Sequence, residues 1–271
     1  MSNLNNKKNH EYCRSLVKNH DYDRYLISLF ADKENQPDLW SLFAFNYEIA
    51  KTREIVTETQ LGLIRLQWWR EALDPVFTGG EAKSHQVLKP LADAIHRYKL
   101  PKEPFETLIY AREFDLEDVA PDSLEGLVNY CEFTNSPLIS LTMKICGIED
   151  NLGVARHLGI AYGLTGQMRA ILTYAKEGRA MLPADLVYDN EIDMKKLFQG
   201  VKQDGLSGLV KSVAEEAERN LELALTEKLH QPLKAQAKLV KAYLKTMRRS
   251  DYDPFSPKFM RRPPTLPLRL F

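Results

Sequence analysis

Gly79-Gly80-Glu81-Ala82-Lys83-Ser84 carries the glycines and the Lys-Ser pair of a phosphate-binding loop, but not their spacing. The pattern G-x-x-x-x-G-K-[ST] is unmet, and a helical rather than a strand pattern precedes it. The stretch reads as a polar turn between helices. G-x-G-x-x-G and G-x-S-x-G are both absent, which weighs against dinucleotide-binding and α/β-hydrolase folds. The three cysteines, Cys13, Cys131 and Cys146, form no C-x-x-C pair, and the six histidines form no H-E-x-x-H. No zinc or c-type haem site is expected. Sparse, odd cysteines suit a reducing compartment, where they act as small buried hydrophobes.

Three other groups are more informative. Glu48, Glu54 and Glu58 are close enough in sequence to hold one hard cation. Lys51 and Arg53 stand among them and offer the alternative of ion pairs on a solvated face. Arg169 is a candidate anion contact, because a guanidinium binds two phosphate oxygens at once; a salt bridge to a helix neighbour is the competing outcome. Gly159, Gly163 and Gly166 repeat at spacings of four and three, so they share one helix face. Each glycine costs a helix roughly 1 kcal/mol relative to alanine. Such a stripe, extended by Ala170 and Thr173, needs a close approach by another helix or a cavity with a ligand.

These groups need helices to position them, and the periodicity is helical almost throughout. Leu39, Leu42, Phe43, Asn46, Ile49 and Ala50 share a face, and Trp40, Ala44 and Phe45 widen it into a deeply buried helix. Leu61, Ile64, Trp68, Ala72 and Val76 form a second stripe that stops at Thr78-Gly79-Gly80. On this reading Trp68 faces the core, and Trp68, Trp69 or Arg70, where exposed, would be contact residues for a partner. Pro101 and Pro104 open a helix with Phe105, Leu108 and Ile109. Asp122 or Ser123 should cap a helix from Leu124 to about Cys146, kinked or broken at Pro137. Further helices are expected over Leu152–Lys176, along the Leu206, Val210, Val213, Ala217, Leu221, Ala224 stripe, and from about Pro232 to Arg248. No period-2 alternation of strand length occurs. The expectation is an all-α bundle of about ten helices with a central cavity. It forms one domain over residues 10–260, with a disordered stretch at 1–9 and an extended basic tail at 261–271.

Composition narrows the function classes. Hydrophobic residues make up 44% and charged residues 27% of the 271, an ordinary globular balance. Lys+Arg and Asp+Glu both number 37, so no global basic footprint for nucleic acid exists. No apolar run approaches the roughly 18–20 residues a membrane-spanning helix needs. Met1–His10 is polar and lacks the apolar core of a secretory signal.

Leu158-Gly159-x-Ala161, Leu164-Thr165, Arg169, Gly178-Arg179 and Leu182-Pro183 together resemble the second signature of squalene and phytoene synthases. The resemblance continues in His85-Gln86-Val87-Leu88, Leu91-Ala92-Asp93-Ala94-Ile95, Phe114-Asp115-Leu116, Tyr130-Cys131 and Asp251-Tyr252-Asp253-Pro254-Phe255, in order over about residues 10–260. It implies an isoprenoid-synthase fold. In that family two aspartate-rich motifs on facing helices hold Mg²⁺, which draws off a diphosphate as two prenyl chains are joined head to head. The need is electrostatic: a multiply charged leaving group must be neutralised as the carbon–oxygen bond breaks.

The chain departs from the family at those motifs. The first aligns with Phe45–Glu54 and has Ala50 and Glu54 where aspartates are expected; the second has Ala170 and Tyr174. Register does not rescue them. No aspartate lies between Leu39 and Glu58, and the only acid between Asn151 and Ala184 is Glu177. Phe45-Asn46-x-Glu48-Ile49-Ala50, Gly62-Leu63-Ile64-Arg65-Leu66-Gln67-Trp68-Trp69-Arg70, Asn129-Tyr130, Gly147-Ile148-x-Asp150 and Leu266-Pro267-Leu268 resemble a branch of the same superfamily, the mitochondrial complex I assembly factors with a squalene/phytoene synthase domain.

That resemblance implies a catalytically degenerate fold, with no cofactor and a protein partner in respiratory-complex assembly. The first alternative is an active prenyl diphosphate transferase using Mg²⁺, with Asp21, Asp23 or Asp115 supplying carboxylates. Arg169, Arg179, Tyr243, Tyr47 and Tyr174 are then the pocket candidates. The second is an isoprenoid or lipid carrier that touches a membrane peripherally through Arg248, Arg249, Lys258, Arg261, Arg262 and Arg269. The expected location is a bacterial cytoplasm, peripheral at most to the inner membrane, or the mitochondrial matrix for a mature eukaryotic form.

Overall fold

Segments that carry a 3.6-residue apolar period are helical in the computed structural model, which describes residues 2–260 and Arg262. Fourteen helices form among the described residues, and no strand does. The excess over the expected ten comes from helices of four to seven residues, too short to carry a period. Among the described residues no helix is long and apolar enough to cross a membrane. The chain divides into two compact units interleaved in sequence.

The first unit holds residues 1–117, 137–152 and 230–233. Its helices are α1 (Ser2–His20), α2 (Tyr22–Ser28), α3 (Gln36–Ala50), α4 (Thr52–Ile55), α5 (Thr59–Phe77), α6 (Leu88–Tyr98) and α7 (Glu103–Phe114). Apolar residues surround α3, and it packs against α1, α6 and α7 with Leu39, Leu42, Phe43, Phe45 and Ile49 buried. Helix α1 reaches back into the stretch expected to be disordered. Asn6 is one reason, since its side-chain amide donates to Asp93 at 2.9 Å.

Helix α5 buries the expected stripe only at its C-terminal end, at Ala72 and Val76. Leu61 and Ile64 are 48% and 58% exposed and Trp68 is only half-buried. The core face is centred on Gly62, Leu66, Trp69, Leu73 and Val76, with Ala72 beside it. Its spacing of four, three, four and three is as helical as the alternative, so periodicity alone did not choose between them. The aromatic contacts of Trp69 decide: its ring meets Phe45, Trp68 and His85 at 5.1–5.3 Å. Arg70 pairs with Glu113 at 2.6 Å and Glu106 at 3.4 Å on α7. Trp69 and Arg70 are therefore structural rather than exposed contact residues.

Helix α8 (Leu124–Ile145) gives its first part to the second unit and its last part to the first. Ser123 caps it, its hydroxyl accepting from Gly126 N at 3.2 Å. The helix runs through Pro137 unbroken. Side chains reinforce the turn before the proline: Thr134 Oγ1 donates to Tyr130 O at 2.8 Å and Asn135 Nδ2 to Cys131 O at 3.0 Å.

The rest of the second unit is α9 (Leu152–Lys176), α10 (Ala184–Asp189), α11 (Met194–Phe198), α12 (Gly205–Ala224), α13 (Leu233–Arg249) and α14 (Pro257–Met260). The expected stripe on α12 is buried as a whole. The glycine stripe of α9 has two explanations. A Cβ at Gly159 would lie 2.5 Å from Ser136 Oγ and 2.8 Å from Ser136 N, and one at Gly163 would lie 2.7 Å from both Asn135 Nδ2 and Cys131 Cβ. Gly159 admits the backbone of α8 and Gly163 admits its side chains. Gly166 faces open space. Apart from Arg262, the expected basic tail lies outside the described residues.

Candidate functional site

Ala50 is the last residue of α3 and Glu54 lies in α4; the first is half-buried and the second exposed. The buried acid of this stretch is Glu48. Its Oε1 accepts from Lys51 Nζ at 2.7 Å and its Oε2 from Arg65 Nη2 of α5 at 2.5 Å. With only 8% of the side chain exposed, this carboxylate would be costly to bury unpaired. Two cations neutralise it. The expected pairing with Lys51 is present, but the second partner comes from another helix, and Glu48 is buried while Glu54 and Glu58 are exposed as expected.

Tyr47, one residue before, stacks on His20 with ring centroids 4.7 Å apart, and Lys51 Nζ lies 4.8 Å over its ring. Burial, and then the negative charges of Glu54 and Glu48, raise the Tyr47 hydroxyl above its ordinary pKa. Tyr12 is raised too, by burial first and Glu48 second. Cys13 is pushed up to about 12, chiefly by burial, as is Cys146; neither is an activated thiol.

His85, one residue of the family-like segment His85-Gln86-Val87-Leu88, has a structural role at the start of α6. Its Nδ1 accepts from the backbone N–H groups of Val87 and Leu88, at 3.2 and 3.3 Å, at the start of α6. The ring packs against Trp68 and Trp69. Burial lowers its pKa first; Glu48 opposes that shift, and Arg65 and Lys51 add to it.

In the second unit Ala170 and Tyr174, both half-buried, sit one turn apart on α9. The Arg169 guanidinium lies 3.6 Å from the centroid of the Tyr243 ring, a close cation–π stack. Tyr243 is buried, and its hydroxyl accepts from Arg262 Nε at 3.4 Å. Arg179 lies 5.7 Å over the ring of Tyr174 and bonds Glu177. The candidates thus fall into two pairs in this unit, Arg169 with Tyr243 and Arg179 with Tyr174, while Tyr47 belongs to the first unit.

The residues at the motif positions do not suit a magnesium centre. Ala50 and Ala170 supply no donor, Tyr174 supplies a phenol instead of a carboxylate, and Glu48 already carries two cations. Among the described residues no three His, Cys, Asp or Glu side chains converge. The other candidate carboxylates have work elsewhere. Asp21 caps α2 and bonds Arg24 at 2.6 Å, Asp115 pairs with Arg112 at 3.1 Å, and Asp23 is buried.

This helical arrangement is that of the isoprenoid-synthase type. A crystal structure of a dehydrosqualene synthase with ligand superposes with a TM-score of 0.82 at 18% identity, covering 98% of this chain and 94% of that one. The squalene/phytoene synthase family model matches residues 17–269, and the chain belongs to that family. Within it, the chain is 31% identical over 268 residues to "NADH dehydrogenase (ubiquinone) complex I, assembly factor 6" of Bos taurus, covering 96% of this chain and 80% of that protein. It is 24% identical over 270 residues to the 15-cis-phytoene synthase of Synechococcus elongatus, covering 91% and 86%.

Proposed function

We propose that this protein is a catalytically degenerate member of the family that acts as a binding or assembly factor in the biogenesis of respiratory complex I. One observation carries the reading. The buried acid within the first motif, Glu48, is held between Lys51 and Arg65, while the motif positions themselves are Ala50, Glu54, Ala170 and Tyr174. Such a set cannot gather the several carboxylate oxygens that a diphosphate-bound Mg²⁺ cluster requires. The similarity to assembly factor 6 supports the same conclusion. We place the protein in a reducing compartment, a bacterial cytoplasm or a mitochondrial matrix, with peripheral membrane contact at most.

The alternative, an active prenyl transferase, draws on the phytoene synthase similarity and on Arg169. A guanidinium can bind two diphosphate oxygens at once, and Arg169 is held in place by its stack on Tyr243. The separating experiment is pyrophosphate release from farnesyl and geranylgeranyl diphosphate with Mg²⁺, beside an active phytoene synthase. No release is expected from the folded, helical protein. Turnover that disappears in Arg169→Ala would overturn the assembly-factor reading.

A further inference from the structure

Helix α13 runs from Leu233 to Arg249 with six cations and no acid. Lys234, Lys238, Lys241, Lys245 and Arg248 recur at spacings of four, three, four and three, a single stripe about 21 Å long at 1.5 Å per residue. Part of this stripe forms one wall of a groove of about 430 Å³ between α12 and α13, with Lys241, Lys245, Arg248 and Arg249 lining it. The floor is apolar: Leu221 and Leu244 are nearly covered, and Leu225 is 48% exposed. The opposite wall is acidic, with Glu218 and Glu222. Arg248 spans to both Glu218 carboxylate oxygens, at 2.6 and 2.8 Å, and so ties the two helices together across the groove. Among the described residues Lys241, Lys245, Arg249 and Glu222 make no ion pair.

We propose that this groove is a docking site for an amphipathic helix of a partner protein, its apolar ridge on Leu221, Leu225 and Leu244 and its acidic flank against Lys241 and Lys245. The inference rests on the binding-factor reading and supplies the chemistry of the partner. Charge decides among occupants. An anionic lipid surface would meet Glu222, which Arg248 leaves unpaired, beside the lysines, and a plane touches only the exposed Leu225 of the floor. A helix ridge reaches it, and its two flanks can carry opposite charges that match the two walls. A uniformly acidic ligand would satisfy one wall and be repelled by the other.

The test uses the full-length protein and a defined set of labelled helical peptides of about four turns, with leucines at i, i+3, i+4 and i+7. One set carries glutamates on one flank and lysines on the other, a second carries lysines on both, and a third carries glutamates on both. Fluorescence anisotropy should show the mixed-flank set binding at on the order of 10 μM or tighter. The double reversal Lys241→Glu/Lys245→Glu and, separately, Leu225→Asp should each weaken binding by about tenfold or more; both sites are exposed, so folding, checked by circular dichroism, is preserved. Equal binding by wild type and both variants, or no preference for the mixed flanks, overturns the proposal. So does cosedimentation with phosphatidylglycerol vesicles that the double reversal abolishes. Prenyl diphosphate turnover, measured on the same preparations, would defeat the binding-factor reading; absent peptide binding in a protein without turnover defeats the groove alone.

Discussion

Arg65 of α5 reaches the carboxylate of Glu48 on α3, Nη2 to Oε2 at 2.5 Å, and thereby joins the helix of the first degenerate motif to its neighbour. Glu48 is buried and Arg65 is about a third exposed, so removing the arginine leaves a mostly desolvated carboxylate with Lys51 as its remaining cation. A buried pair that loses one partner costs several kcal/mol; with Lys51 in place, Arg65→Ala should cost about 2 kcal/mol. The double variant Arg65→Ala/Glu48→Gln should recover part of that loss, because the uncompensated charge is gone. Urea denaturation of wild type, Arg65→Ala, Glu48→Gln and the double variant closes the cycle. Additive effects would mean that the two side chains do not act as a pair.

The glycines of α9 should divide by what they face. Gly159→Ala and Gly163→Ala push a methyl group into Ser136 and into Cys131 and Asn135, at distances no relaxed Cβ contact shows. Overpacking of this kind costs about 1–3 kcal/mol. Gly166→Ala meets nothing within 4 Å and should gain about 0.5–1 kcal/mol from reduced backbone freedom in the unfolded chain. Thermal melts of the three variants would show one rise and two falls. A fall in all three would imply that Gly166 also serves a contact.

On α5 two large apolar residues of similar hydrophobicity have opposite roles. Trp69→Ala removes a ring that is 1% exposed and wedged among Phe45, Trp68 and His85, and should cost about 3–5 kcal/mol. Ile64→Ala, at a 58% exposed site, should stay within about 0.5 kcal/mol. Denaturant midpoints measure both. A large loss at Ile64 would indicate that this face is covered in solution.

What was legible in the sequence follows from the range of the interactions involved. Helices α3, α9 and α12 were readable because their apolar residues recur over fifteen to twenty-five positions. The loss of the aspartates was readable because it needs only residue types. The core face of α5 was not, because Leu61, Ile64, Trp68 and Gly62, Leu66, Trp69 are both helical stripes, and only the position of Phe45 and His85 selects one. Likewise the second partner of Glu48 lies seventeen residues away on another helix, a distance at which periodicity carries no information. His85 was visible as part of a motif, but its bonds to two backbone N–H groups depend on how the chain enters α6.

That role of His85 makes stability depend on pH. The ring accepts two N–H groups through Nδ1, which requires the unprotonated nitrogen, and burial holds its pKa below the ordinary 6.5. As pH falls below the ordinary value, the unfolded chain takes up the proton first, so the contribution of His85 is complete above about 6.5. It is then lost progressively as pH falls through the lower folded value. His85→Asn keeps an acceptor for the start of α6 and removes the titration. Urea denaturation of wild type and variant between about pH 8 and about pH 5.5 should therefore show the wild type losing stability faster on the acid side. Parallel curves over that range would mean that His85 is protonated equally easily in the folded and unfolded chains, and that its bonds to Val87 and Leu88 do not hold the neutral ring.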